Sequence, residues 1–142
     1  MTGRRGEVGQ ALVFVAVMLP LFLAVVGLVV DGGVVWAARR ELQNVADSAA
    51  RAGAMQIDLR AYRDSSGERV VLDPTSARET AVSYLAGTPD LSATVQADQQ
   101  RVVVTVSRDV RLSFLQIVGF DRVRIGAVAP AEVRFGIERG NR

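Results

Sequence analysis

Twenty consecutive residues carry no charge, Ala11 to Val30 (ALVFVAVMLPLFLAVVGLVV), and fourteen of them are Leu, Val or Phe. A helix rising about 1.5 Å per residue covers roughly 30 Å over that length, the thickness of a bilayer's hydrocarbon core. Near the helix centre each Leu, Val or Phe favours insertion by roughly 0.3 to 0.6 kcal/mol, so fourteen contribute about 6. Off-centre positions, Pro20 and Gly27 reduce that sum without reversing it. The competing reading, a buried helix of a soluble domain, needs apolar surface on every side. The rest of a 142-residue chain has little to supply. Ala11–Val30 is therefore expected to span a membrane and to contact lipid.

Inside this span Pro20 removes a backbone donor and leaves the Ala16 carbonyl without its helical partner. Membrane helices tolerate such a kink because neighbouring groups or local adjustment satisfy the carbonyl. Gly27 and Ala24 are small enough to let another helix approach. Their spacing differs from the four-residue repeat of a packing motif.

Composition matters here mainly for what is missing. The chain has no Cys, no His and no Lys. Cys and His nucleophiles, His bases, Schiff-base lysines and His/Cys metal sites are therefore excluded, and no disulfide framework exists. Acids such as Glu68, Asp73, Asp90 and Asp98 are scattered rather than paired. No enzyme, cofactor, metal or small-molecule substrate is expected. The net charge is +2 and every basic residue is Arg, dispersed without a run. That pattern suits a solvated surface rather than a nucleic-acid stripe.

The tail before the helix, residues 1–9, is short and basic. Arg4 and Arg5 precede the span while Arg39 and Arg40 follow it, so the count of positive charges barely orients the chain. The N-terminus is placed in the cytoplasm because the tail is tiny and the rest forms the exported part. A secretory signal usually has an apolar core of about seven to fifteen residues ending at a small-residue site. Here the core is longer and runs into more helix, so no signal-peptidase cut is expected after it.

Beyond Asp31, Gly32 and Gly33, a soft point at the membrane exit, the helical pattern continues. Ala38, Leu42, Val45, Ala49 and Ala52 alternate spacings of four and three, an amphipathic stripe of period 3.5. Ala46, Ala50 and Ala54 form a row of small residues spaced by four, and Ala49 with Gly53 repeats that spacing. Such a face packs on the chain's own domain or on neighbouring copies. One helix is expected over 10–59, with the span at 11–30. Residues 60–142 would be the head outside the cell membrane.

Within the head, Arg60–Glu68 is polar and turn-rich and reads as a loop. Arg69–Leu72 fits a short edge strand. Asp73 as N-cap, Pro74 at the first helical position, Gly87 as stop and Pro89 beyond it delimit a helix. Leu91–Ala97 alternates with odd positions apolar, and after Asp98-Gln99-Gln100 the even positions Val102, Val104 and Val106 are apolar, which predicts a hairpin. Ser113–Phe120 (SFLQIVGF) breaks alternation and reads as an apolar turn or cap. Period two returns at Val123, Ile125, Ala127, Ala129, Ala131, Val133 and Phe135, with Pro130 arguing for an edge strand or bulge. Gly136–Arg142 reads as a frayed tail. The expected class is α+β: a long N-terminal helix, membrane-spanning in its first half, packed with a second helix on a small antiparallel sheet, a lollipop outline.

Gly9–Ala54 closely resembles the N-terminal region of TadE/TadG-like proteins of the Flp (tight-adherence, Tad) pilus system. The landmarks are Gly9-Gln10-Ala11 before the span, Pro20 within it, Val30-Asp31 at its exit, and Leu42-Gln43-Asn44 followed by Ala46-Asp47 and an alanine-rich end. The resemblance implies a pilin-like membrane protein, a minor pseudopilin or an assembly factor. Its partners would be other pilus or pilus-assembly proteins, with self-association a further option. Prepilin-peptidase substrates resemble one another in a basic leader ending in Gly, with Glu five residues after the cut. A cut after Gly6 puts Ala11 at that position and a cut after Gly9 puts Phe14 there, while Glu7 is too early. The match is thus better to the TadG-like branch, which stays anchored.

Asp31 and Asp47 are the acids that match the family. Asp31 reads either as a carboxylate at the lipid–water boundary or as a contact for another pilus protein. Asp47 reads as part of a solvated helix face or as such a contact. The residues expected to carry helix packing or interaction are Pro20, Gly27, Asp31, Leu42, Ala46, Asp47, Ala49, Ala50, Gly53 and Ala54. The main alternative is a membrane-tethered module whose head binds a ligand or senses one.

Overall fold

The computed structural model describes residues 4–133. Met1–Gly3, Phe135 and the tail expected over Gly136–Arg142 lie outside the described residues. The first element is α1 (Arg4–Ala54), a single helix that runs through Pro20 and through Gly32-Gly33. It stops five residues before the expected end, Leu59. There the Gln56 N–H bonds the Gly53 carbonyl, and Ile57 forms an isolated bridge with Leu72. A further short helix, α2 (Leu59–Asp64), occupies what reads from composition as a loop. The Asp58 carboxylate caps it by accepting the Arg60 and Ala61 N–H groups.

The chain divides into two compact units. One comprises Met1–Ala37 and Val110–Val123; the other comprises Ala38–Asp109 and Arg124–Arg142.

The second unit contains α3 (Pro74–Leu85), which begins where its signals place it. Asp73 accepts N–H bonds from Thr75 and Ser76 and the Ser76 hydroxyl, with Pro74 in the first turn. The Ser76 hydroxyl, then its N–H, holds the Asp73 carboxyl below its ordinary pKa. Three strands, β1 (Ser92–Ala97), β2 (Arg101–Arg111) and β3 (Arg122–Glu132), form a sheet of that order. β1 and β2 pair antiparallel with Val95 opposite Val104. Asp98 accepts the Gln100 and Arg101 N–H groups and so closes their turn. β3 is an edge strand, which accommodates Pro130.

The core of this unit follows the alternation. Val95, Val102, Val104, Val106, Ile125, Ala127 and Ala129 are buried on the sheet, together with Ala77, Ala81 and Leu85 of α3 and Leu72. The last turns of α1 complete it through Leu42, Ala46, Ala49 and Ala50. The small residues set the spacing. A Cβ added at Gly53 would stand 2.7 Å from the Ala77 carbonyl oxygen and 3.3 Å from a Val102 methyl.

In the first unit the apolar half of α1 meets the connection between β2 and β3. The Leu112 N–H bonds the Asp121 carbonyl at its base, and a 3-10 turn, Leu115–Val118, forms its tip. Gly119 ends that turn at φ 95°, a left-handed conformation suited to glycine.

Candidate functional site

Most of Ala11–Val30 presents its side chains outward. Gly27 alone is buried and Met18 is half-buried. A helix so apolar and so uncovered lacks the packing that a soluble core helix would have. It is the one helix among the described residues long and apolar enough to cross a membrane. Pro20 is exposed on it.

At the end of that stretch the structure places two of the singled-out residues together. Asp31 is 1 % exposed. One of its oxygens accepts the Ser113 N–H at 2.9 Å; the other accepts the Phe114 N–H at 2.9 Å and the Leu115 N–H at 2.7 Å. These are donors at the opening of the 3-10 turn, where the chain offers no carbonyl for them. An ionised carboxylate is a stronger acceptor for them than a neutral group. One turn earlier Gly27 lies beneath Phe114. A Cβ there would be 2.7 Å from the Phe114 Cβ and 3.0 Å from its Cγ. Gly27 and Asp31, four residues apart on one helix face, thus hold the connection: one admits its aromatic side chain and the other binds its amides. Beside the two readings of Asp31, a boundary carboxylate or a contact for another pilus protein, the structure adds three hydrogen bonds made within the same chain.

The remaining candidates fall in the other unit. Leu42, Ala46, Ala49, Ala50 and Gly53 are buried in its core, and Ala54 is half-buried at the helix end. The small-residue face is therefore occupied by the chain's own α3 and sheet. Asp47 is half-buried and accepts a 3.1 Å bond from the Gln43 amide, which also reaches the Val128 carbonyl at 3.3 Å. Arg108 pairs with Glu41 at 3.1 Å.

The residues missed by sequence reasoning are Ser113, Phe114 and Leu115. They contribute backbone N–H groups, which leave no side-chain signature. The signal available was the broken alternation of SFLQIVGF. No group of three or more His, Cys, Asp or Glu among the described residues is placed to hold a metal ion.

Residues 9–56 match the family model described as putative Flp pilus-assembly TadE/G-like. The similarity is confined to that N-terminal segment. The match covers about a third of the chain: α1 from Gly9 onward and the two residues after it. No curated protein and no solved structure matches the chain. The TadE/G-like segment supports a part in Flp pilus assembly. It spans every singled-out residue, from Pro20 to Ala54.

Proposed function

We propose that this chain is a non-catalytic, single-pass membrane component of Flp (Tad) pilus assembly, retained in the membrane in the manner of a TadG-like assembly factor. The observation that carries the reading is the coincidence of the TadE/G-like match with a helix whose apolar half is uncovered. Such a surface requires lipid or other apolar helices around it. The helix lies in the cytoplasmic membrane with the N-terminus inside and the sheet-bearing portion outside. Its exposed apolar flank serves contacts with other pilus-assembly proteins. The row Ala46, Ala49, Ala50 and Gly53 serves the internal core, so helix–helix contact with partners belongs to the turns before Asp31.

The test is fractionation of cells expressing a C-terminally tagged copy. Surface fibres are sheared off and tag signal is compared between fibres and membranes. Signal confined to membranes is the expected result. Signal in the fibres makes the protein a filament subunit and overturns membrane retention.

A further inference from the structure

The connection held by Asp31 and Gly27 displays large apolar side chains. Ile117 is 81 % exposed, Phe120 64 % and Phe114 44 %. Three such residues within seven positions are unusual on a water-facing loop, and most of the surface of Ile117 and Phe120 is covered by nothing in the described chain.

Their level along the helix identifies what does. Phe114 rests on Gly27, inside the apolar span and four residues before Asp31. At about 1.5 Å per residue this is roughly 6 Å on the lipid side of the carboxylate. The helix around that contact exposes Val25, Val26, Leu28, Val29 and Val30. The exposed part of Phe114 thus adjoins the flank of the span, and Ile117 and Phe120 follow it within six residues. Arg111 and Arg122 stand exposed at the two ends of the connection. There their long side chains can reach phosphates while their stems lie along apolar surface. Trp36, also exposed, follows Asp31 by somewhat more than one turn, the interfacial position favoured by that side chain.

We infer that the 113–120 connection is a second membrane-contact element. It inserts Phe114, Ile117 and Phe120 into the bilayer leaflet at the span's outer end, and Asp31 locks it to the helix. The inference rests on the proposed membrane placement of Ala11–Val30. The Asp31 carboxylate is tolerated at that depth because three N–H groups satisfy it. A helix joined to an inserted loop also has a fixed rotation about its axis. A lone apolar helix, being greasy on all sides, does not.

The absence of native cysteine allows single labelling sites in the full chain. Spin-labelled Ile117→Cys and Phe120→Cys are reconstituted in vesicles of phosphatidylethanolamine and phosphatidylglycerol. Collision with oxygen, which concentrates in lipid, is compared with collision with a water-soluble nickel chelate. Arg78→Cys on α3 is the aqueous reference and Val25→Cys the reference for the span. The expected result is an oxygen-to-nickel ratio at 117 and 120 near that of Val25→Cys and well above that of Arg78→Cys. Adding Asp31→Ala should lower the ratio at 117 and leave Val25→Cys unchanged. Nickel access at 117 and 120 equal to that at Arg78→Cys, with Val25→Cys still in lipid, overturns the inference alone. Protection from both reagents means that protein, a second copy included, covers the loop, which also overturns it. Nickel access at Val25→Cys overturns the membrane placement itself.

Discussion

Gly27→Ala should loosen the connection without touching its hydrogen-bonding groups. The new Cβ would sit 2.7 Å from the Phe114 Cβ, where carbon atoms normally approach to about 3.5–4.0 Å. The shortfall is roughly 1 Å, and rotating the Phe114 ring cannot relieve it because the nearest atom is fixed to the backbone. If the chain retreats by that amount, the N–H bonds of 2.7–2.9 Å to Asp31 lengthen to roughly 3.7–3.9 Å and are lost. Overpacking of this kind costs about 1–3 kcal/mol, which raises the population of the opened connection about 5- to 150-fold. Hydrogen exchange at Ser113, Phe114 and Leu115, measured on the full chain in lipid nanodiscs, reads this directly. Gly32→Ala is the control, since nothing lies within 4 Å of a Cβ there. Equal protection in Gly27→Ala, Gly32→Ala and wild type would refute the packing argument.

Leu42→Ala should lower the thermal midpoint of the sheet-bearing unit, because truncating a fully buried leucine costs about 2–5 kcal/mol. Gly53→Ala should destabilise the same unit: its Cβ meets the Ala77 carbonyl at 2.7 Å, and overpacking by about 1–3 kcal/mol outweighs a helix-propensity gain of at most about 1. Gly33→Ala, where space is open, should show only the gain, as a small rise in helix stability on denaturant titration. Acid should weaken the sheet-bearing unit. Asp73 and Asp98 have pKa values lowered from 3.8 in the folded state, chiefly by bonds from Ser76 and from the Gln100 and Arg101 N–H groups. Their contribution is complete above 3.8 and disappears as pH falls through the lower folded values. Stability measured from pH 6 to about 2 should fall at the acidic end, less so in Asp73→Ala.

Where local chemistry fixed the backbone, the sequence was a good guide. The cap Asp73 with Pro74 located α3, the alternation of Val102, Val104 and Val106 located the buried face of β2, and the uncharged run located the exposed half of α1. Short polar helices defeat the same reasoning. In α2 the stability comes from the Asp58 cap and from Ser65, which bonds the Ala61 carbonyl, while the composition between them is that of a loop. The helix end lies before the expected one because Met55 and Gln56 are compatible with continued helix, whereas Ile57 leaves to pair with Leu72. The Asp31 contact was illegible for a different reason: its partners are 82 to 84 positions away and are backbone groups. Pattern identifies a face; it does not say which distant amide will meet a carboxylate. Gly27 shows the same limit, since its smallness was plain but its neighbour Phe114 was not.

The central claim is that Ala11–Val30 anchors the chain in the cytoplasmic membrane with the sheet-bearing portion outside. It is tested most directly by reaction of single cysteines with a membrane-impermeant maleimide, using Gly9→Cys and Arg78→Cys in otherwise native chains. In spheroplasts the account predicts labelling at Arg78→Cys and none at Gly9→Cys until the cells are lysed, with both proteins remaining in the membrane pellet after alkaline carbonate. Release by carbonate, or labelling of Gly9→Cys with protection of Arg78→Cys in intact spheroplasts, would contradict it.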